Sequence, residues 1–169
     1  MSESSCDLYK PNLFKILCDA EFQFLIDEYG FRKRKLFGNS WGQTVQYSNK
    51  TTRVWVSFGK REGLLDVWVA PEVRGRDPWG YAFDPNKIEV SELINQRAPG
   101  FQLFTPGPVI DTWRPLNDRE IEEIVRNSAR ALKEFGDDLL RGDFRIMPAI
   151  HAVRAKRREE WQRGHNSSW

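Results

Sequence analysis

WGQTVQYSNKTTRVWVSFGKREGLLDVWVA, residues 41–70, is the stretch on which the fold turns. Its apolar side chains recur at every second position, the period of an extended chain whose successive side chains point to opposite faces of a sheet. Trp41, Gln43, Val45 and Tyr47 share one side. Val54, Val56 and Phe58 share a side of the next run, and Leu65, Val67 and Val69 share a side of the third. Ser48-Asn49-Lys50 and Lys60-Arg61-Glu62-Gly63 supply the turn signals between the runs. A slip of one residue would rotate every apolar side chain outward, so the pattern also specifies the pairing. A loop at 60–63 sets Phe58 opposite Leu65, Val56 opposite Val67 and Val54 opposite Val69, and on the reverse face it sets Trp55 opposite Trp68. Across the earlier hairpin, Tyr47 meets Val54 and Val45 meets Val56.

Moving outward, residues 31–37 alternate weakly and read as an edge strand whose lysines discourage stray pairing. Before it, Phe14, Cys18, Phe22, Leu25 and Tyr29 recur at helical spacing, in one broken helix or two short ones. Asp19 is the expected cap of the second, and Gly30 its left-handed stop. Residues 1–12 read as a loose start. After the meander come two connections, 71–86 and 98–115, dense in Pro and Gly yet carrying Trp79, Phe104 and Trp113. Between them, 87–96 reads as a short helix with Ile88, Leu93 and Ile94 inward. Asn117 and Glu120 open the strongest helix as a capping box, and Ile121, Ile124, Val125, Ser128, Leu132, Phe135 and Leu139 draw one stripe toward a stop near Gly142. Asp143 then caps a last helix from Met147 to Trp161. The expected fold is one α+β domain spanning residues 1–169. In it, an antiparallel meander of about four strands (31–70) packs with an N-terminal helix and two C-terminal helices.

Composition excludes several classes. With 26 basic and 24 acidic residues, the chain has a net charge of only +2, too small to imply a nucleic-acid or membrane partner by itself. The charge is uneven. From His151 onward there are five basic residues against two acidic ones, which leaves −1 for the remainder. Neither a signal peptide nor a run of 18 apolar residues is evident, so no membrane span is expected and the cytoplasm is the expected compartment. Cys6 and Cys18 form no disulfide framework and no zinc pattern.

Catalytic constellations are sparse. A hydrolytic triad would need His151 or His165 as its base, and no nucleophile elbow accompanies either. Asp137, Asp138 and Asp143 cluster around Arg141, and Glu120, Glu122 and Glu123 sit where a helix dipole favours negative charge. No catalytic residue, cofactor or metal site is therefore assigned. The reverse face of the sheet is more informative. Trp55, Trp68 and Arg53, with Arg74, Arg76 and Trp79 of the following loop, are the residue types that protein-binding hot spots favour, so another protein is the first expected partner. Two alternatives stay open. One is nucleic acid held by Arg154, Lys156, Arg157, Arg158 and Trp161; the other is an enzyme with an Asp/Glu–Arg site in the 71–86 loop.

FLIDEYGF (24–31), VQYSN (45–49) and LLRGDF (139–144) carry a resemblance. Together they resemble a group of small, mostly uncharacterised bacterial cytoplasmic proteins, some of which are similar to the immunity proteins of toxin systems. The resemblance implies an α+β fold, a cytoplasmic setting and a non-enzymatic role, in which the protein neutralises a toxin by binding it.

Overall fold

In the computed structural model, which describes residues 13–38, 42–59, 64–73, 84–103 and 116–166, the alternating stretch becomes three antiparallel strands. They are β2 (Gly42–Ser48), β3 (Thr52–Gly59) and β4 (Leu64–Pro71). β1 (Arg32–Gly38) precedes them and the two-residue β5 (Ile88–Glu89) comes after, giving one sheet in the order β1-β2-β3-β4-β5. The expected register holds at Phe58–Leu65, Val56–Val67, Val54–Val69, Trp55–Trp68, Tyr47–Val54 and Val45–Val56. The fifth strand was not expected: Ile88 pairs with Val69 and Glu89 with Trp68 before the helix α3 (Val90–Arg97) begins. Two residues are too few for alternation to show.

β1 and β2 do not pair evenly. Lys33 faces Tyr47 and Leu36 faces Val45, so Arg34 and Lys35 together oppose Gln46. This is a β-bulge, in which one strand carries an extra residue, bends and twists more strongly.

The helices cover the valine face. The N-terminal segment is two helices, α1 (Leu13–Glu21) and α2 (Gln23–Tyr29), and Gly30 ends the second at φ 66°. Asp19 does not cap α2; Phe22 holds that position without a side-chain hydrogen bond, and Asp19 instead pairs with Lys15 and Lys33. α4 (Asp118–Phe135) opens with the expected capping box, Asn117 accepting from the Glu120 N–H and Glu120 accepting from the Asn117 N–H.

The stripe predicts a helix running to Gly142, but α4 stops at Phe135 and gives way to a short α5 (Asp137–Leu140). A Cβ on Gly136 would lie 2.6 Å from the Leu132 carbonyl oxygen, so only glycine allows this tight change of direction. Arg97 seals the break, donating to the Phe135 carbonyl and, through both terminal nitrogens, to Asp138 at 2.6 and 2.5 Å. Asp143 closes the turn ahead of α6 (Met147–Asn166) by accepting the Arg145 N–H at 3.1 Å, and α6 extends beyond Trp161.

One apolar core runs from Phe14 to Ile150, joining the valine face to α1, α3, α4 and α5. Phe14 stacks on Phe58 and Phe22 on Tyr47, with ring centroids 5.8 and 6.1 Å apart. The buried Tyr47 hydroxyl donates to the Cys18 carbonyl at 3.0 Å, so this large side chain enters the core without an unmet polar group.

Candidate functional site

Alternation that sends Val54 and Val56 into the core sends Arg53, Trp55 and Ser57 to the other face. There Trp55 lies beside Trp68, Arg53 beside Ala70 and Ser57 beside Asp66. Trp55 is only 4% exposed and forms a small apolar cluster with Ala70 and the half-buried Trp68. The Lys87 ammonium lies 3.8 Å from the Trp68 ring centroid, a cation–π contact, while the Trp68 indole N–H is buried with no acceptor among the described residues. Arg53 is nearly buried and donates twice to Glu72, at 2.7 and 2.5 Å. The aromatic pair is thus in place, but Trp55 is a covered side chain and the charge of Arg53 is balanced. Arg74, Arg76 and Trp79 lie outside the described residues, as does most of the 71–86 loop proposed for an Asp/Glu–Arg site.

The same face ends in an open cleft of about 550 Å³, where β1 and β2 meet the 49–52 turn. Its walls include Arg32, Arg34, Ser48, Asn49, Lys50 and Glu72. The cross-strand row that builds it runs from Arg32 to Ser48 to Arg53. Arg34 reaches back to Ser48, its Nε donating to the Ser48 Oγ at 2.8 Å. Asn49 makes the turn rigid. Its Oδ1 accepts the N–H groups of Thr51 and Thr52 at 3.0 and 2.8 Å, and its Nδ2 donates to the carbonyls of Tyr29 and Leu140 at 3.2 and 3.3 Å. Beside it, the Thr52 hydroxyl donates to the Leu139 carbonyl at 2.8 Å.

Three cations of the same standing meet at this cleft. Lys15, Lys33, Arg97, Arg126, Lys133, Arg141 and Arg145 each have a carboxylate partner. Among the described residues, Arg32, Arg34 and Lys50 have none, and all three side chains are exposed. Sequence reasoning placed the first two on an edge strand and the third in a turn, and so did not bring them together. The arginines' two-residue spacing on a strand was the available signal, since it puts them on one face.

α6 divides at Arg154. That side chain donates to Glu92 at 2.7 and 2.6 Å, to the Lys87 carbonyl at 2.6 Å and to the Pro85 carbonyl at 2.9 Å. Burial raises the Glu92 carboxyl, but the Arg154 hydrogen bonds, the Glu89 N–H and the charges of Arg154 and Arg157 together hold the group below its ordinary value. His151 sits one turn earlier, its Nε2 3.1 Å from the Pro85 carbonyl. Arg154 is therefore a fastening rather than part of a basic surface. Residues 155–164 are exposed, among them Lys156, Arg157, Arg158 and Trp161, the last at 61%. The side chain of His165 lies outside the described residues.

The aspartates around Arg141 and Glu122 of α4 are each held by an arginine. Asp137 pairs with Arg141, Asp138 with Arg97, Asp143 with Arg145 and Glu122 with Arg126. Among the described residues no group of three His, Cys, Asp or Glu is placed to hold a metal ion, and no helix is long and apolar enough to cross a membrane. Compared with protein-family models, with curated proteins and with solved structures, the chain matches none.

Proposed function

We propose that this chain is a non-enzymatic protein-interaction domain that offers the outer half of α6 to its partner. The observation that carries the reading is the exposed 155–164 segment, which bears Trp161 alongside Arg157 and Arg158 beyond a base fastened by Arg154. Tryptophan and arginine dominate interface hot spots, and a helix already formed loses little further freedom on docking. In its immunity-type form the partner is a toxin that the domain neutralises by occupying it. The cytoplasm is the proposed setting, a reading supported by the buried free thiol of Cys18.

The test is capture from the native lysate at physiological salt, with the full chain and with its Trp161→Ala, Arg157→Ala, Arg158→Ala triple variant. A stoichiometric protein held by the first and lost by the second is the expected result. No such protein, or equal retention by both, overturns the reading.

Nucleic acid is the second reading, favoured by three neighbouring exposed cations, Lys156, Arg157 and Arg158, on the same arm. It requires affinity for an oligonucleotide that falls steeply with salt and disappears when all three become glutamine. Arg154 is not part of that set, because Glu92 holds it.

A further inference from the structure

The cleft between β1 and the 49–52 turn lies apart from the α6 arm and differs from it in kind. We propose that it is a binding site for a phosphomonoester, the phosphate group of a small polar organic ligand, held by Arg32, Arg34 and Lys50.

Three features lead there. The first is an imbalance of donors and acceptors. Arg32 and Lys50 carry only donors, and Arg34 commits its Nε to Ser48 while its two terminal nitrogens have no acceptor among the described residues. Ser48, accepting from Arg34, keeps a hydroxyl proton that has no acceptor there either. The one carboxylate in the wall, Glu72, has both oxygens engaged by Arg53. A ligand entering this cleft meets donors on several sides and no carboxylate that is not already engaged by an arginine, which suits one that is itself rich in acceptors and negative.

The second feature is rigidity. A cluster of like charges on a floppy surface would relax into solvent. Here Asn49 ties the Lys50-bearing turn to α2 and to the α5 segment by one hydrogen bond each and closes the turn itself by two more, while sheet pairing positions Arg32 against Ser48. Backbone positions are thus set before the ligand arrives, which lowers the cost of binding.

The third is shape. Three cations approaching from β1 and from the turn suit a tetrahedral dianion better than a planar carboxylate, whose two oxygens would leave one of them unmatched. The cleft is of the size that holds small ligands, roughly 300–1,000 Å³, and exceeds what a bare phosphate fills. Its wall is lined by polar side chains, so the remainder of the ligand is hydrophilic, such as a polyol or sugar.

Calorimetric titration of the full chain at constant ionic strength tests this with glycerol 2-phosphate, inorganic phosphate, glycerol and citrate. Glycerol 2-phosphate should bind saturably at one site, inorganic phosphate should compete with it, and glycerol should not bind. Arg32→Gln and Arg34→Gln should each weaken binding about tenfold, as loss of one charge-assisted hydrogen bond implies. Lys50→Gln should weaken it as well; this exposed turn side chain has no hydrogen bond or ion pair among the described residues, so its effect reads binding alone. The Arg157→Gln, Arg158→Gln double variant should bind as the parent does. Absence of saturable phosphate binding overturns the proposal. So does undiminished binding by an Arg32→Gln, Arg34→Gln double variant, or citrate binding as tightly as the phosphoester. None of these outcomes bears on capture of a protein by α6.

Discussion

One sheet presents two unlike faces, although the same strands build both. On the inner face, Val45, Val54, Val56, Val67 and Val69 lie under α1 and α4, and apolar contact is the organising force. On the outer face, Arg53 pairs with Glu72, Trp68 lies against the Lys87 ammonium and Trp55 packs on Ala70, and the face ends in three cations that have no carboxylate partner among the described residues. The difference separates stability from recognition by a single step along the chain. A substitution at Val54 acts on packing, whereas one at Arg53 acts on charge.

That contrast can be broken most severely from within. Phe22→Ala should remove about 3–5 kcal/mol of stability, read as a lower urea midpoint, because Phe22 is fully buried against Tyr47. Its phosphate affinity, measured well below that midpoint, should match the parent.

On the outer face the largest effect belongs to Arg53→Ala, which leaves Glu72 charged and poorly hydrated. A loss of roughly 3 kcal/mol is expected, near the low end for an unmatched buried ion. Arg53→Met with Glu72→Leu should recover most of it. A double variant as unstable as the single one would show that packing, rather than charge, rules this face too.

Acid acts next. The Arg97 hydrogen bonds hold the Asp138 carboxyl below its ordinary value; at Glu92, burial is outweighed by Arg154, the Glu89 N–H and the Arg157 charge together. Both groups are lower in the folded chain than in the unfolded one. Their contribution is therefore complete above the unfolded values and is lost as pH falls through the folded values. Urea midpoints should decline across the acidic range, and Glu92→Gln should flatten part of that decline. Asn117→Ala should cost about 1 kcal/mol by removing the cap of α4. The smallest effect is expected at Arg32→Gln, within about 0.5 kcal/mol, since an exposed side chain with no carboxylate partner among the described residues adds little to the fold.

The meander was legible because alternation specifies register, which by itself sets Trp55 opposite Trp68. The capping box at Asn117 was legible for a local reason, since its two partners sit three residues apart. The end of α4 was not, because the apolar stripe passes unbroken from Phe135 to Leu139 across Gly136, and the break depends on Arg97, 38 positions away. Arg154 resembled its basic neighbours until Glu92, 62 positions away, came beside it. The cleft was hidden for the same cause. Neither Arg34 nor Lys50 says anything alone; the bulge and the hairpin bring them to one wall.

The corner formed by Asn49, Thr52 and the α5 segment also dictates an order of events as the chain is made. The turn's side chains find their acceptors at Leu140 and Leu139, 91 and 87 positions later in the chain. Gly142 seats against Thr51 so closely, at φ 90°, that an added Cβ would lie 2.6 Å from the Thr51 Cβ. During synthesis the hairpin therefore leaves the ribosome long before the segment that braces it. Closing so long a loop is entropically unfavourable until other contacts have formed. A chain shortened before Leu139 accordingly lacks the acceptors that brace this wall of the cleft.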